Sequence, residues 1–154
     1  MKVSRYNTRR RRGIKGMTLI EVVLVLAIIA FLVALAVPAF TNYVRKANRA
    51  EAQQLLMQWA NNQEIWRANH TTYAGTSGLT KPSHDNFNFF IRSSGATCAD
   101  DYATPSATAY TLLACATSAG GQDEDQQMGK SCAVLSLNQS GAKGSYGECW
   151  GRNS

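Results

Sequence analysis

The chain has 154 residues, which leaves room for one compact domain and one further segment. Its formal charge of +6 first suggests a nucleic-acid-binding protein. However, seven of the sixteen basic residues lie in residues 1–16, which contain no acid, so nine basic residues face ten acids in the rest of the chain. The remainder is close to neutral, and we do not expect nucleic acid as a partner.

An uncharged apolar segment follows the basic N-terminus. It extends over 19 residues, Val22 to Phe40, close to the roughly 20 that cross a bilayer as a helix. A buried core helix would be apolar on one stripe only. A conventional secretion signal carries its small-residue cleavage site after the apolar run, whereas Gly16 lies before it. The sequence therefore predicts a membrane-spanning helix, and the positive-inside rule places the N-terminus in the cytoplasm and residues beyond about 45 outside.

The junction between the basic and apolar segments carries a motif. Residues 16–21 read GMTLIE and continue into VVLVLAIIA. This stretch resembles the N-terminal signal of type IV prepilins and pseudopilins, with Met17 where that family usually has phenylalanine. The resemblance implies that a membrane-bound prepilin peptidase cuts between Gly16 and Met17, and that the new Met17 amine is methylated. It also implies three parts: a cleaved basic leader (1–16), a transmembrane and polymerisation helix (17–44) and an outward-facing head (45–154).

Two residues of the apolar helix stand out. Glu21 is an ionisable group just inside the run, where such a group is costly and marks function. Its natural partner is the Met17 amine, and in the resembled family this glutamate meets the N-terminus of a neighbouring subunit during assembly. The alternative is a carboxylate that reaches back to the lipid headgroups. Pro38, which matches a proline of the family, is expected to kink or locally melt the helix.

The rest of the chain predicts an α+β head. Since neither proline nor glycine interrupts residues 39–74, the helix is expected to continue to about Asn69. Its core face is mostly apolar at i, i+3, i+4 spacing: Ala52, Leu55, Leu56, Trp59, Gln63 and Trp66. Its solvated or subunit-facing side is polar: Arg45, Lys46, Arg49, Asn61, Asn62 and Arg67.

Three strands are expected to cover this helix. They lie at residues 86–91, 108–116 and 131–138, the last with Ala133, Leu135 and Leu137 on one face. A long helix packed on a small antiparallel sheet is an α+β arrangement, the pilin fold that the resemblance implies. Residues 50–53, 68–74 and 130–144 resemble PilE-type minor pilins.

All four cysteines follow the apolar run, so they are expected in an oxidising compartment as two disulfides, for which three pairings exist. We favour Cys132–Cys149, since it would fasten the end of the chain to the last strand, and the family resemblance supports a C-terminal loop of this kind. Cys98–Cys115 is then the remaining pair.

The sequence does not predict a catalytic, metal or cofactor site. The sequence shows no catalytic constellation, no close cysteine pair for zinc and no cofactor motif. His70 and His84 are interpreted as surface residues, and the acids 100–101 and 123–125 do not match a calcium-binding loop. Trp59 and Trp66 are interpreted as core rather than as a ligand platform.

The resemblance thus implies a minor pilin of the type IV pilus with no enzymatic activity, and it allows a role in pilus initiation. Its partners would be other pilins, the peptidase and the assembly machinery of the bacterial inner membrane, and its final place the pilus at the cell surface. The alternatives are a type II secretion pseudopilin and a pilus-borne receptor for DNA or a surface.

Overall fold

The computed structural model describes residues 16–75, 77–98, 105–144 and 147–151. The predicted leader therefore lies outside the described residues except for Gly16. The chain divides into two compact units, Met1–Ala39 and Phe40–Ser154.

The first element is a single long helix, α1, over Leu19–Arg67. Thr18 begins it, because its carbonyl and hydroxyl oxygens accept hydrogen bonds from the Glu21 amide at 3.1 and 3.3 Å. Leucine and alanine favour the helix, whereas the valines and isoleucines among them have a weaker helix propensity. The helix ends two residues before the expected Asn69, where the Asn69 amide instead bonds the Trp66 carbonyl.

The second unit contains a four-stranded antiparallel sheet. Its strands are β1 (Phe87–Arg92), β2 (Thr111–Ala116), β5 (Val134–Asn138) and β6 (Lys143–Gly144), in the order β1-β2-β5-β6. A separate hairpin pairs β3 (Gln126–Gln127) with β4 (Lys130–Ser131). Short 3₁₀ turns lie at Ala119–Glu124 and Gly147–Trp150.

The core of this unit lies between one face of the sheet and the second part of α1. Register places Phe89 beside Ala114 and Ala114 beside Leu135, so these side chains form one row on the helix-facing side. Ala52, Leu56 and Trp59 of α1 are 0–2% exposed and belong to the same cluster. The α+β architecture predicted from the sequence is confirmed.

The strand predictions need three corrections. The sheet has four strands instead of three, because the turn at 138–142 returns the chain to β5 as β6. β2 begins at Thr111 instead of 108, since Ser106 holds a turn by hydrogen bonds with Ala109. The predicted strand at 131–138 is divided, because the Cys132 amide bonds the Asp125 carbonyl within the hairpin.

Candidate assembly site

The first unit presents an acid at the start of an exposed apolar helix. Glu21 lies in the first turn of α1, where a negative charge favourably meets the positive end of the helix dipole. Among the described residues, no salt bridge reaches its carboxylate. Gly16 and Met17 precede the helix and are exposed, with Met17 at 70%.

The apolar side chains after Glu21 are exposed on every side of α1. They include Leu24, Phe31 and Leu35, each more than 60% exposed. Among the described residues there is one helix, α1, that is long and apolar enough to cross a membrane. Each such side chain gains about 1.5–3 kcal/mol when it leaves water, so this segment requires lipid or neighbouring helices around it.

Pro38 lies inside α1, which continues through it without a break. The local melting that the sequence allowed is therefore absent, since the assigned helix extends on both sides of the proline. A kink at Pro38 stays a prediction.

The head contains a polar anchor that the sequence analysis misinterpreted. Arg49 was expected on the solvated side of the helix, but it is 6% exposed and donates to Asp125 at 2.7 Å and to the Gln127 side chain at 2.8 Å. Arg45, also expected there, donates to Glu124 at 2.8 Å. The signal was present: Arg49 shares the helical face of Ala52 and Leu56, at i, i+3 and i+7.

Of the three acids at 123–125, Glu124 and Asp125 thus bond the arginines of α1, and Asp123 is exposed. Burial raises the pKa of the Asp125 carboxyl above its ordinary value, and the Arg49 guanidinium opposes this rise only in part. Gln122 completes the contact by donating to the Arg45 carbonyl at 3.2 Å and accepting from Asn48 at 3.2 Å. Together these bonds attach the segment before β3 to one turn of α1.

The four cysteines form two disulfides in the second unit. Cys98 is joined to Cys115 on β2, with Cα atoms 6.0 Å apart, and Cys132 is joined to Cys149, with Cα atoms 5.5 Å apart. Cys132 and Cys149 are 0% and 1% exposed, whereas Cys98 lies at the surface. Gln53 of α1 donates to the Cys149 carbonyl at 2.6 Å, so the end of the described chain is attached to the helix as well.

The remaining candidates are distributed over the head. Trp59 is buried in the core, as expected, while Trp66 stacks on His70 with ring centroids 3.8 Å apart. His70 is exposed, but the His84 side chain is 6% exposed and lies 3.5 Å from the Glu51 carboxylate, so the surface interpretation of His84 is wrong. In the described part of the chain, no group of three potential metal ligands is present.

Comparisons with known proteins identify the family. A model of the prokaryotic N-terminal methylation motif matches residues 11–37. A second model, described as type IV minor pilin ComP, DNA uptake sequence receptor, matches residues 38–136, more than half of the chain. The chain belongs to this family of type IV minor pilins. The pilin resemblance found in the sequence is thereby confirmed.

Individual relatives agree with the family. The chain is 34% identical over 73 residues to the prepilin peptidase-dependent protein D of Escherichia coli (45% of this chain, 50% of that one). It is 28% identical over 101 residues to the type IV major pilin protein PilA of Myxococcus xanthus (64% and 44%). It is 35% identical over 79 residues to the fimbrial protein EcpC of Eikenella corrodens (47% and 51%). The chain spans about half the length of the curated relatives it matches.

A solved structure of a type IV pilin from Shewanella oneidensis is also similar. It has a TM-score of 0.47 and 21% identity, over 69% of this chain and 97% of that one. Together, the methylation motif and the apolar helix of the minor pilin fit a membrane-anchored subunit that becomes part of the surface pilus. Its family is structural and generally non-enzymatic.

Proposed function

We propose that this minor pilin is made as a prepilin, cut between Gly16 and Met17 by the prepilin peptidase and methylated at the Met17 amine. Residues 17–44 then hold it in the bacterial inner membrane, with the N-terminus in the cytoplasm and the head (45–154) outside. The assembly machinery transfers it from there into a type IV pilus, where α1 packs among the helices of other pilins.

The observation that carries this proposal is the exposed apolar part of α1 with one acid in its first turn. Leu19 and Phe40, near the two ends of the run, are 83% and 68% exposed. In lipid an ionised carboxylate is costly, and the amine created at Met17 can neutralise it. A free subunit has only its own amine, four residues before Glu21, whereas an assembled pilus adds the N-termini of adjacent subunits. Glu21 would therefore favour the assembled state over the free one.

The test replaces Glu21 in cells that assemble pili. Glu21→Val removes a charge from the apolar run and lowers the insertion cost, by at most about 3 kcal/mol, so processing and membrane insertion should persist. We expect the variant to accumulate in the membrane and to be depleted from sheared pili. Glu21→Gln separates charge from polarity, and Asp123→Asn removes the charge of an exposed acid in the head as its matched control.

Equal incorporation of Glu21→Val and wild type would refute the ion-pair role. Absence of the wild-type chain from sheared pili, combined with a defect in protein secretion, would favour the pseudopilin alternative instead. The first measurement is therefore a count of the subunit in purified fibres.

A second candidate function, a receptor for DNA, is favoured by one surface of the head. Near the C-terminus of α1, Arg67 lies over the Tyr73 ring at 5.8 Å, and Trp66 stacks on the exposed His70. Basic groups contact phosphates and aromatic rings stack on bases. The family model that matches this chain is described as a DNA uptake sequence receptor, although the near-neutral charge beyond residue 16 opposes this function.

Fluorescence anisotropy with duplex DNA at several salt concentrations tests this candidate. If Arg67 contacts a phosphate, Arg67→Ala should weaken binding and reduce the salt slope by about 1. Lys143→Ala, which removes a charge that lies 5.1 Å from the Trp150 ring instead, is the control. Binding that neither falls with salt nor responds to Arg67 would exclude this surface as the receptor site.

A further inference from the structure

The β3–β4 hairpin presents an apolar side chain to solvent at its tip. Because Gln127 pairs with Lys130, the loop consists of two residues, Met128 and Gly129, both with positive φ (51° and 75°). Such loops favour asparagine or aspartate followed by glycine. Among the described residues, Met128 is the non-glycine residue with positive φ, and it is 71% exposed. The backbone at Met128 is thus strained, although its exposed side chain does not pack within the fold. Backbone strain of this kind marks functional positions.

The base of the hairpin is held firmly. The buried guanidinium of Arg49 bonds Asp125 and Gln127, two residues apart on one side of the hairpin. Buried ion pairs contribute little net stability, since desolvation offsets their attraction, but they can fix geometry. On the other strand, Cys132 follows directly and is bonded to Cys149. The tip therefore projects from a rigid base, which lowers the entropy lost when it binds a partner.

The charges around the hairpin favour a protein partner over nucleic acid. Glu124 and Asp125 are paired with Arg45 and Arg49, and Asp123 is exposed beside them. Lys46 is exposed beside Asp125, and Lys130 lies next to the tip. These two positive charges are too few for the several phosphate contacts that DNA binding needs. An exposed methionine in such surroundings is instead typical of adaptable protein contacts.

The pilin head itself shows the kind of surface that would receive this side chain. A cavity of about 180 Å³ lies beside α1, and apolar and polar side chains share its wall: Leu55, Trp59, Pro82, Gln58, Asn62 and Thr80. The apolar part of this wall suits a thioether, whose sulfur interacts favourably with aromatic rings. In the proposed pilus, other pilin subunits are the proteins that surround this chain.

We propose that the hairpin tip is a contact surface for a neighbouring pilin subunit, and that Met128 enters a partly apolar recess on the head of that subunit. This inference rests on the proposed function, because it requires that the chain is built into a pilus. It adds a contact through the head to the packing of the apolar helices.

Site-specific photo-crosslinking in assembled pili tests the contact. The full chain carries p-benzoylphenylalanine at position 128 or, as a matched control, at position 140 in the exposed turn between β5 and β6. Sheared pili are irradiated, and crosslinked peptides are identified by mass spectrometry. We expect position 128 to crosslink to a pilin subunit and position 140 to yield at least about fivefold less product.

Met128→Asn provides a second test that does not depend on the bulky probe. Asparagine tolerates positive φ and suits this turn, so the full chain in detergent should melt several degrees higher. If Met128 serves only the fold, incorporation into pili should stay the same or improve. The proposal predicts the opposite, a fall of about fivefold in sheared pili despite higher stability.

The outcomes separate this inference from the proposed function. If the wild-type chain is absent from pili, both are overturned. If it is present but position 128 crosslinks to DNA, to no partner, or no more than position 140, only the hairpin contact is overturned. Unchanged incorporation of Met128→Asn would likewise refute the contact and leave the pilin function intact.

Discussion

The two disulfides of the head offer a controlled comparison. Both join cysteines 17 residues apart, so the chain-entropy model assigns each the same stabilisation, about 3 kcal/mol. Any difference between them must then come from the folded structure. Cys98 is at the surface although its partner Cys115 is 6% exposed, whereas Cys132 and Cys149 are 0% and 1% exposed. We predict that a phosphine reductant attacks at Cys98 and opens Cys98–Cys115 first.

The size of the difference follows from access. To reach the buried pair, the reductant needs an opening that exposes Cys132 or Cys149. If this opening costs about 5 kcal/mol, the lower end of domain stabilities, reduction is slowed by about 4 × 10³-fold, since each 1.4 kcal/mol is tenfold. The exposed bond can react with little opening.

The assay is a time course of reduction, alkylation and peptide mapping on the head, residues 45–154, and it also establishes the pairing. In concentrated guanidinium both bonds should be reduced at similar rates, which controls for intrinsic reactivity. Equal rates in the native head would refute the argument from burial. Peptides that join Cys149 to Cys98 would overturn the pairing itself.

Three further predictions concern processing and the polar anchor. Mass spectrometry of the mature protein should find its first residue at Met17 with a methylated amine, and a mature start after Ala39 would contradict the prepilin interpretation. Arg49→Ala should destabilise the head by about 3–5 kcal/mol in denaturant unfolding, because it leaves Asp125 buried without its partner. A loss below about 1 kcal/mol, which is typical of exposed ion pairs, would refute the structural role of the Arg49–Asp125 pair. Burial raises the pKa of the Asp125 carboxyl in the folded state, so as the pH is lowered this carboxyl takes up a proton in the folded head before it does in the unfolded chain. Wild type should therefore gain stability relative to Asp125→Asn between about pH 7 and about pH 4. If the difference in free energy of unfolding between the two proteins stays the same across that range, the raised pKa is contradicted.

The amino-acid sequence by itself determined the features that depend on local composition. The apolar run after Gly16 required a long exposed helix, because its side chains carry no charge over 19 positions. The spacing of Ala52, Leu56 and Trp59 indicated the helical face that the sheet covers, since residues three and four apart share one side of a helix. Alternation likewise placed Leu135 and Leu137 together in the core.

The tertiary structure decided the features that depend on residues far apart in the chain. The spacing of Arg49 with Ala52 and Leu56 marks its helical face, but its partner Asp125 lies 76 positions later and only the fold brings it to 2.7 Å. The same contact attaches the acidic segment 123–125 to α1, so that this segment forms the base of the hairpin that exposes Met128. Equal cysteine spacing also gave no hint that one disulfide would be buried and the other accessible. In each case the deciding interaction is long-range, and the local pattern does not contain the partner that determines burial.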